Sequence, residues 1–259
     1  MKKLIRRCLT PCKPLLEFLA RLEAAVAAMW ARGAYRRLFL VQWRLAPQPE
    51  HFDHRIDLYF NWPVERNSFW VERGVFGGLA IRPDGRLLEL ACGDGFNARH
   101  FYSRRCREVI ACDFDPSAIA TARRANATPN VTFVLADIRA AMPLGTFDNI
   151  AWDAAIEHFT PDEIGGILGN IRSRLAPGGI LSGYTIVEQA AGKKSLSHHE
   201  YEFKDKQDLL RFFKPHFARV TVFETIHPGR HNLYFWASDA VLPFDADWPH
   251  ACTWRRDIT

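Results

Sequence analysis

From residue 80 onward, short apolar runs alternate with helix-forming segments, and that alternation constrains the fold more than any other feature. "GRLLELA" reads as a buried strand followed by the helix "FNARHFYSRR". "EVIACDF" is a second strand, and "PSAIATARRANA" opens the next helix with proline in its first turn. "VTFVLAD" and "FDNIAWDA" follow as strands, then the helix "PDEIGGILGNIRSRLAPGG" with a Pro-Gly-Gly stop, then the strand "ILSGYTIV". Strands and helices alternating at these lengths imply an α/β fold, with a parallel sheet covered by helices on both faces. The chain's end departs from this rule. After the helix "QDLLRFFKPHF", the strands "RVTVFETI" and "NLYFWAS" are separated only by "HPGRH", which predicts an antiparallel hairpin.

The stretch "LLELACGDGFNARHF", residues 87–101, marks the ligand site. Gly93 and Gly95 stand at a strand-to-helix turn, where a side chain would block close approach of a ligand. Gly93-x-Gly95-x-x-Ala98 satisfies the relaxed dinucleotide fingerprint, and Asp113, 18 residues after Gly95, ends the second strand where a carboxylate can accept both ribose hydroxyls. These features serve a nicotinamide dinucleotide and S-adenosylmethionine equally. No Gly-Lys-Ser/Thr follows the glycines, which excludes a Walker phosphate loop.

Three further features separate the two cofactors. Glu89 lies in the first strand, four residues before Gly93; Asp137 ends the third strand; and the terminal hairpin completes a seven-stranded sheet. With these, residues 75–240 resemble the class I S-adenosylmethionine-dependent methyltransferases, in particular bacterial members with small-molecule acceptors. The resemblance implies a Rossmann-like sheet, mostly parallel with a C-terminal antiparallel hairpin, and S-adenosyl-L-methionine as cofactor. "LELACGDG" matches the family's first motif, with Ala91 where a glycine usually stands. The implied cofactor-binding residues are Glu89, Ala91, Gly93 and Gly95, Asp113 with Phe114 on the ribose, Asp137 and Ile138 on the adenine, and Asp153 on the methionine side. Asp115 is expected to cap a helix instead.

Acceptor chemistry belongs to the segments after the fourth and fifth strands. Glu157 and His158 in "IEHF", and His198 and His199 in "KSLSHHEYEF", are the candidate catalytic residues. "HHE" lacks the i, i+4 spacing of a helical zinc site, so no metal is expected. Family members that methylate exocyclic amines commonly carry Asn/Asp-Pro-Pro-aromatic after the fourth strand, and here "WDAAIEH" stands there. No cysteine nucleophile is present at that position. These departures point to O-methylation of a small molecule or a glycan or lipid precursor. Two alternatives stay open: an NAD(P)-dependent oxidoreductase, and a non-catalytic cofactor-binding module.

The formal net charge of +5 is unevenly spread. Residues 1–50 hold ten Lys/Arg against three Glu, so residues 51–259 sum to −2, which argues against a nucleic-acid footprint. Leu15, Leu19, Leu22, Val26 and Met29 step by four and three along one helical face. That face is expected to dock on the protein itself; the alternative is a peripheral helix whose flanking cations, Lys2, Lys3, Arg6, Arg7, Arg36 and Arg37, meet anionic headgroups. Glu17, Arg21 and Glu23 interrupt any signal-peptide core. Six cysteines without a CxxC pair suit a reduced, cytoplasmic chain, peripheral at the inner membrane face if that helix binds lipid. The expected organisation is a basic N-terminal helical segment (1–45), an aromatic-rich lead-in (46–80), the cofactor-binding domain (81–240) and a tail (241–259).

Overall fold

The computed structural model describes residues 10–45, 49, 51–65, 69–189, 194–227 and 229–250. Lys2, Lys3, Arg6, Arg7, Cys8, and residues 251–259 of the tail with Cys252, lie outside these residues. The chain divides into two units, Met1–Ser68 and Phe69–Thr259.

In the first unit, α1 (Lys13–Arg44) runs for 32 residues, with Pro14 in its first turn. One face of its second half carries Tyr35, Phe39 and Trp43, which pack on Tyr59, Phe60 and Phe52 with ring centroids 4.8, 5.6 and 5.4 Å apart. The stripe Leu15, Leu19, Leu22, Val26 and Met29 lies on another face and is exposed, as are Phe18 and Trp30 beside it. No described helix is long and apolar enough to cross a membrane.

The second unit is built on a seven-stranded sheet: β1 (Arg86–Leu90), β2 (Glu108–Asp113), β3 (Val131–Leu135), β4 (Phe147–Asp153), β5 (Leu175–Ile186), β6 (Arg219–His227) and β7 (Arg230–Ser238). Their order is β3-β2-β1-β4-β5-β7-β6. The five strands β1 to β5 pair in parallel, while β7 runs antiparallel to both β5 and β6. The chain moves outward from β1 through β2 to β3, then returns to place β4 on the other side of β1. Such a reversal opens a crevice at the carboxyl ends of β1 and β4, where α/β sheets take their ligands.

Successive strand residues alternate between the sheet faces, which explains two separate cores. On one face Leu88, Leu90, Ile150 and Trp152 meet Ile164, Ile167, Leu168 and Ile171 of α5 (Pro161–Arg174) and Leu209 and Phe213 of α6 (Lys206–Phe213). On the other, Leu87, Val109, Ala111 and Ala151 meet Ala98 of α3 (Phe96–His100), Tyr102, and Ile119 and Ala122 of α4 (Pro116–Ala125). A capping box between Thr160 and Glu163 starts α5, with Pro161 following the cap. That helix ends at Arg174, not at the Pro-Gly-Gly stop. Leu175 already pairs with Phe147, and the register resumes at Ile180 with Asn149, so residues 176–179 form an irregularity within β5.

Against the hairpin lies α2 (Phe69–Leu79). Its Glu72 accepts hydrogen bonds from Thr225 Oγ1 (2.8 Å) and Tyr234 Oη (2.9 Å) and pairs with His227 Nε2 (2.7 Å). Trp236 Nε1 donates to the Phe76 carbonyl at 3.1 Å. The aromatic lead-in is thus split: residues up to 68 belong with α1, and α2 belongs with the sheet.

Candidate active site

The carboxyl ends of β1, β2 and β4, with the turn after β1, gather four buried carboxylates: Glu89, Asp94, Asp113 and Asp153. The turn between β1 and α3 is shaped by three left-handed residues, Ala91 (φ 53°), Gly93 (φ 53°) and Gly95 (φ 74°). Gly95 N–H donates to the Cys92 carbonyl at 2.9 Å, and Cys92 N–H ties the turn to the Cys112 carbonyl at 2.9 Å. A Cβ on Gly95 would come within 2.5 Å of the Phe133 ring, so the glycine also permits close packing of the turn on the sheet.

Asp113 clasps this turn. One of its oxygens accepts from Gly93 N–H at 2.9 Å and the other from Asp115 N–H at 2.9 Å. A carboxylate held at this strand end is placed to meet a ribose diol. Asp115 caps α4 through Ser117 N–H, as its position before Pro116 suggests.

Asp153 accepts from Tyr102 Oη at 2.7 Å and from Asn97 Nδ2 at 3.3 Å. Burial, and then the Asp153 charge, push the Tyr102 phenol up. Glu89 lies fully inside the cluster, and one of its oxygens, Oε2, has no hydrogen-bond partner among the described residues. Burial raises its pKa well above the usual carboxylate range; Asp153, Asp94 and Asp113 raise it further, and Arg73 acts in the opposite sense. The cluster thus favours a ligand carrying positive charge.

The remaining cofactor candidates are placed differently. Phe114 follows β2 and is exposed. Asp137 lies two residues beyond β3, and its carboxylate is chelated by Arg139 through Nε (3.0 Å) and Nη2 (2.7 Å), which holds its pKa low. The Ile138 side chain is buried in the core. Sequence reasoning missed Arg73, Asp94, Asn97 and Tyr102. Asp94 stands between the two motif glycines and was open to recognition; the others are brought in by α2, α3 and the turn after it.

At the other end of the crevice, Ala154 takes a left-handed conformation (φ 50°) directly after β4, turning the chain into the segment that holds Glu157 and His158. Glu157 is buried and accepts from Thr185 Oγ1 of β5 at 3.0 Å; burial holds its pKa up. Its carbonyl receives Glu200 N–H (2.8 Å) and Tyr201 N–H (3.0 Å), which pins the loop after β5. The four acceptor-side candidates are thereby brought together. The His158 ring stacks on His198 at 5.0 Å, with an interplanar angle of 7°, and meets His199 edge-on at 4.8 Å. His199 is buried, and its Nδ1 pairs with the Glu202 carboxylate. Burial lowers the His199 pKa, against the upward pull of Glu202 and Glu157.

Two measurements check this geometry. Ala91→Gly relieves a left-handed alanine and is expected to raise unfolding stability by about 1 kcal/mol, whereas Gly95→Ala adds that strain and a clash, lowering it by about 2–4 kcal/mol in denaturant titrations. Glu89→Gln removes a buried acid whose folded pKa is raised. Such a group contributes stability below its unfolded pKa and loses it as pH rises toward the folded value. The glutamine variant should therefore match the wild type near about pH 4 and unfold at increasingly higher temperature than it as pH rises to neutrality.

The family profile described as "Methyltransferase domain" matches residues 87–179. An uncharacterized methyltransferase of Synechocystis sp. is 29% identical over 106 residues, which cover 40% of this chain and 48% of that protein. The chain thus spans about half the length of the curated relative it matches. The N-methyltransferase NodS of Bradyrhizobium japonicum WM9, solved with S-adenosyl-L-homocysteine, superposes with a TM-score of 0.54 at 17% identity, covering 68% of this chain and 90% of that one. The DhpI–SAH complex gives a TM-score of 0.50 at 23% identity, covering 60% and 78%. These two likenesses show the fold. Residues 87–179 thus match a methyltransferase-domain profile, on a sheet whose fold is shared with these methyltransferases.

Proposed function

We propose that this protein transfers a methyl group from S-adenosylmethionine to a hydroxyl of a small molecule or a glycan or lipid precursor. The observation that carries this reading is the buried carboxylate cluster beneath the glycine turn, with the unpartnered Glu89 Oε2 at its centre. Bound there, S-adenosylmethionine supplies an electrophilic methyl group on a cationic sulfonium. Glu89 and Asp153 are suited to its ammonium group and Asp113 to its ribose hydroxyls. A nicotinamide dinucleotide shares only the need for Gly93, Gly95 and Asp113. Its reduced form brings no cation, and the pyridinium of its oxidised form has no N–H to donate to Glu89 and Asp153 as an ammonium group does.

At the acceptor end the chain must align a nucleophile and exclude water. Glu157 and His158 follow β4 directly, and His199 is biased toward its neutral form, so an acceptor proton has nitrogen lone pairs to go to. A slightly acidic body suits a small acceptor better than a polyanion. Calorimetry and thermal-shift titration should show S-adenosylhomocysteine binding and stabilising the fold, and NADH doing neither. Asp113→Ala should weaken that binding about tenfold or more, because a charged hydrogen bond contributes about 1.5–3 kcal/mol. Unchanged affinity in the variant overturns the ribose assignment.

The exposed stripe of α1 supports a second element of the reading, that α1 lies on an anionic membrane surface. Its aliphatic residues are flanked by the exposed aromatics Phe18 and Trp30, and the first 50 residues carry ten cations against three acids. A second copy is the rival occupant. The four-three stepping spans only Leu15–Met29, about two heptads, short of the three to four that a coiled coil needs. The full chain should float with phosphatidylserine-containing vesicles at low salt, and Leu22→Glu/Val26→Glu should abolish this. A dimer in sedimentation that the same substitutions dissolve, without vesicle binding, replaces the membrane with the second copy.

A further inference from the structure

Proton acceptance needs one imidazole, yet three converge after β4 and β5. His158, His198 and His199 come from two segments that the Glu157 carbonyl ties together, and one ligand atom from each ring lies within 4.8 Å of the other two. The His199 ring is held as metal-binding histidines are held. Its Nδ1 meets the buried Glu202 carboxylate, which also accepts from Ser195 N–H at 2.7 Å and from the Ser195 hydroxyl. With Nδ1–H donated to that carboxylate, Nε2 carries the lone pair. A carboxylate behind a histidine fixes the tautomer and makes the ring a better donor, and this pairing recurs behind metal-ligating histidines.

We propose that His158, His198 and His199 form a three-nitrogen site for a divalent first-row transition cation of the zinc type. Imidazoles select such borderline cations, whereas magnesium and calcium take oxygen ligands. Three protein ligands leave a coordination position open, the pattern of catalytic and not structural zinc. The site stands on these contacts alone; its use rests on the methyltransferase reading above. There, the open position takes the acceptor hydroxyl and lowers its pKa. With the three imidazole lone pairs on the metal, the hydroxyl proton passes to solvent and not to a histidine, the oxygen forms the new O–CH3 bond, and the electron pair of the broken S–CH3 bond stays on sulfur.

The test uses the full chain, stripped by a chelator and dialysed against Zn2+ or Co2+. One equivalent of metal by elemental analysis is expected, with visible d–d absorption for Co2+. His158→Ala and His199→Ala should lose it, and Glu202→Gln should weaken it about 10- to 100-fold. His198 is exposed, so His198→Ala keeps the fold in circular dichroism and provides the decisive variant should the buried ones unfold. Absence of stoichiometric metal, or retention of it by His198→Ala and His158→Ala, overturns the site. Binding that instead disappears in Cys8→Ser/Cys12→Ser assigns the metal to the N-terminal thiols and overturns it equally. S-adenosylhomocysteine titration of the same samples separates the two readings: metal without cofactor binding removes the methyltransferase role and leaves the site, and cofactor without metal does the reverse.

Discussion

The repulsion among Glu89, Asp94, Asp113 and Asp153 governs the architecture of the crevice. Four carboxylates withdrawn from water in so small a region oppose folding unless donors or cations answer them. The fold supplies several answers, each from a different element. Backbone N–H groups of the glycine turn and of the segment after β2 engage Asp113, Tyr102 and Asn97 engage Asp153, and Arg73 of α2 opposes the charge on Glu89. The left-handed turn serves the same end. Only a chain that reverses tightly at Ala91, Gly93 and Gly95 presents the Gly93 N–H to Asp113. Strain at an alanine that does not favour this conformation is tolerated because the surrounding contacts determine the turn.

The sheet was legible in the sequence because the central strands β1, β4 and β5 are largely buried on both faces, and two crossover helices start on recognisable signals, Asp115-Pro116 and Thr160-Pro161. The end of α5 was not. Pro177 and the glycines after it look like a helix stop, yet Leu175 is already drawn into pairing with Phe147, a tertiary preference that no local signal encodes. The same limit applies to the site. Glu89, Gly93, Gly95, Asp113 and Asp153 sit at fixed offsets from strand ends, so counting along the chain finds them. Arg73 and Tyr102 arrive through helix packing and have no such offset. The histidines were individually visible, but the i, i+4 rule tests one helix only. Their convergence comes from two loops meeting at the Glu157 carbonyl.

The N-terminal unit shows how little a periodic apolar stripe says by itself. Spacing by four and three identifies a helical face without saying what covers it. In α1 the packing is done by Tyr35, Phe39 and Trp43, while the more regular aliphatic stripe is left to solvent. Bulk explains the division: aromatic rings bury more area per residue and find stacked or tilted partners, so they anchor a small unit effectively. The aliphatic stripe takes no part in that packing within the first unit.

The two ends of the crevice are electrostatically opposite in design, and that opposition bears on how a cationic donor and a neutral acceptor are told apart. The β1–β2 end concentrates carboxylates and so favours positive charge. At the β4–β5 end, burial raises Glu157 toward its neutral acid and lowers His199 toward its neutral base. Without a bound cation, a group there meets lone pairs and little net charge. Thr185 contributes to this balance from β5: by donating to Glu157 it satisfies a buried acid without adding charge. The β4–β5 end is therefore suited to holding a group by coordination or hydrogen bonding, while the attraction for positive charge is confined to the strands that carry the glycine turn.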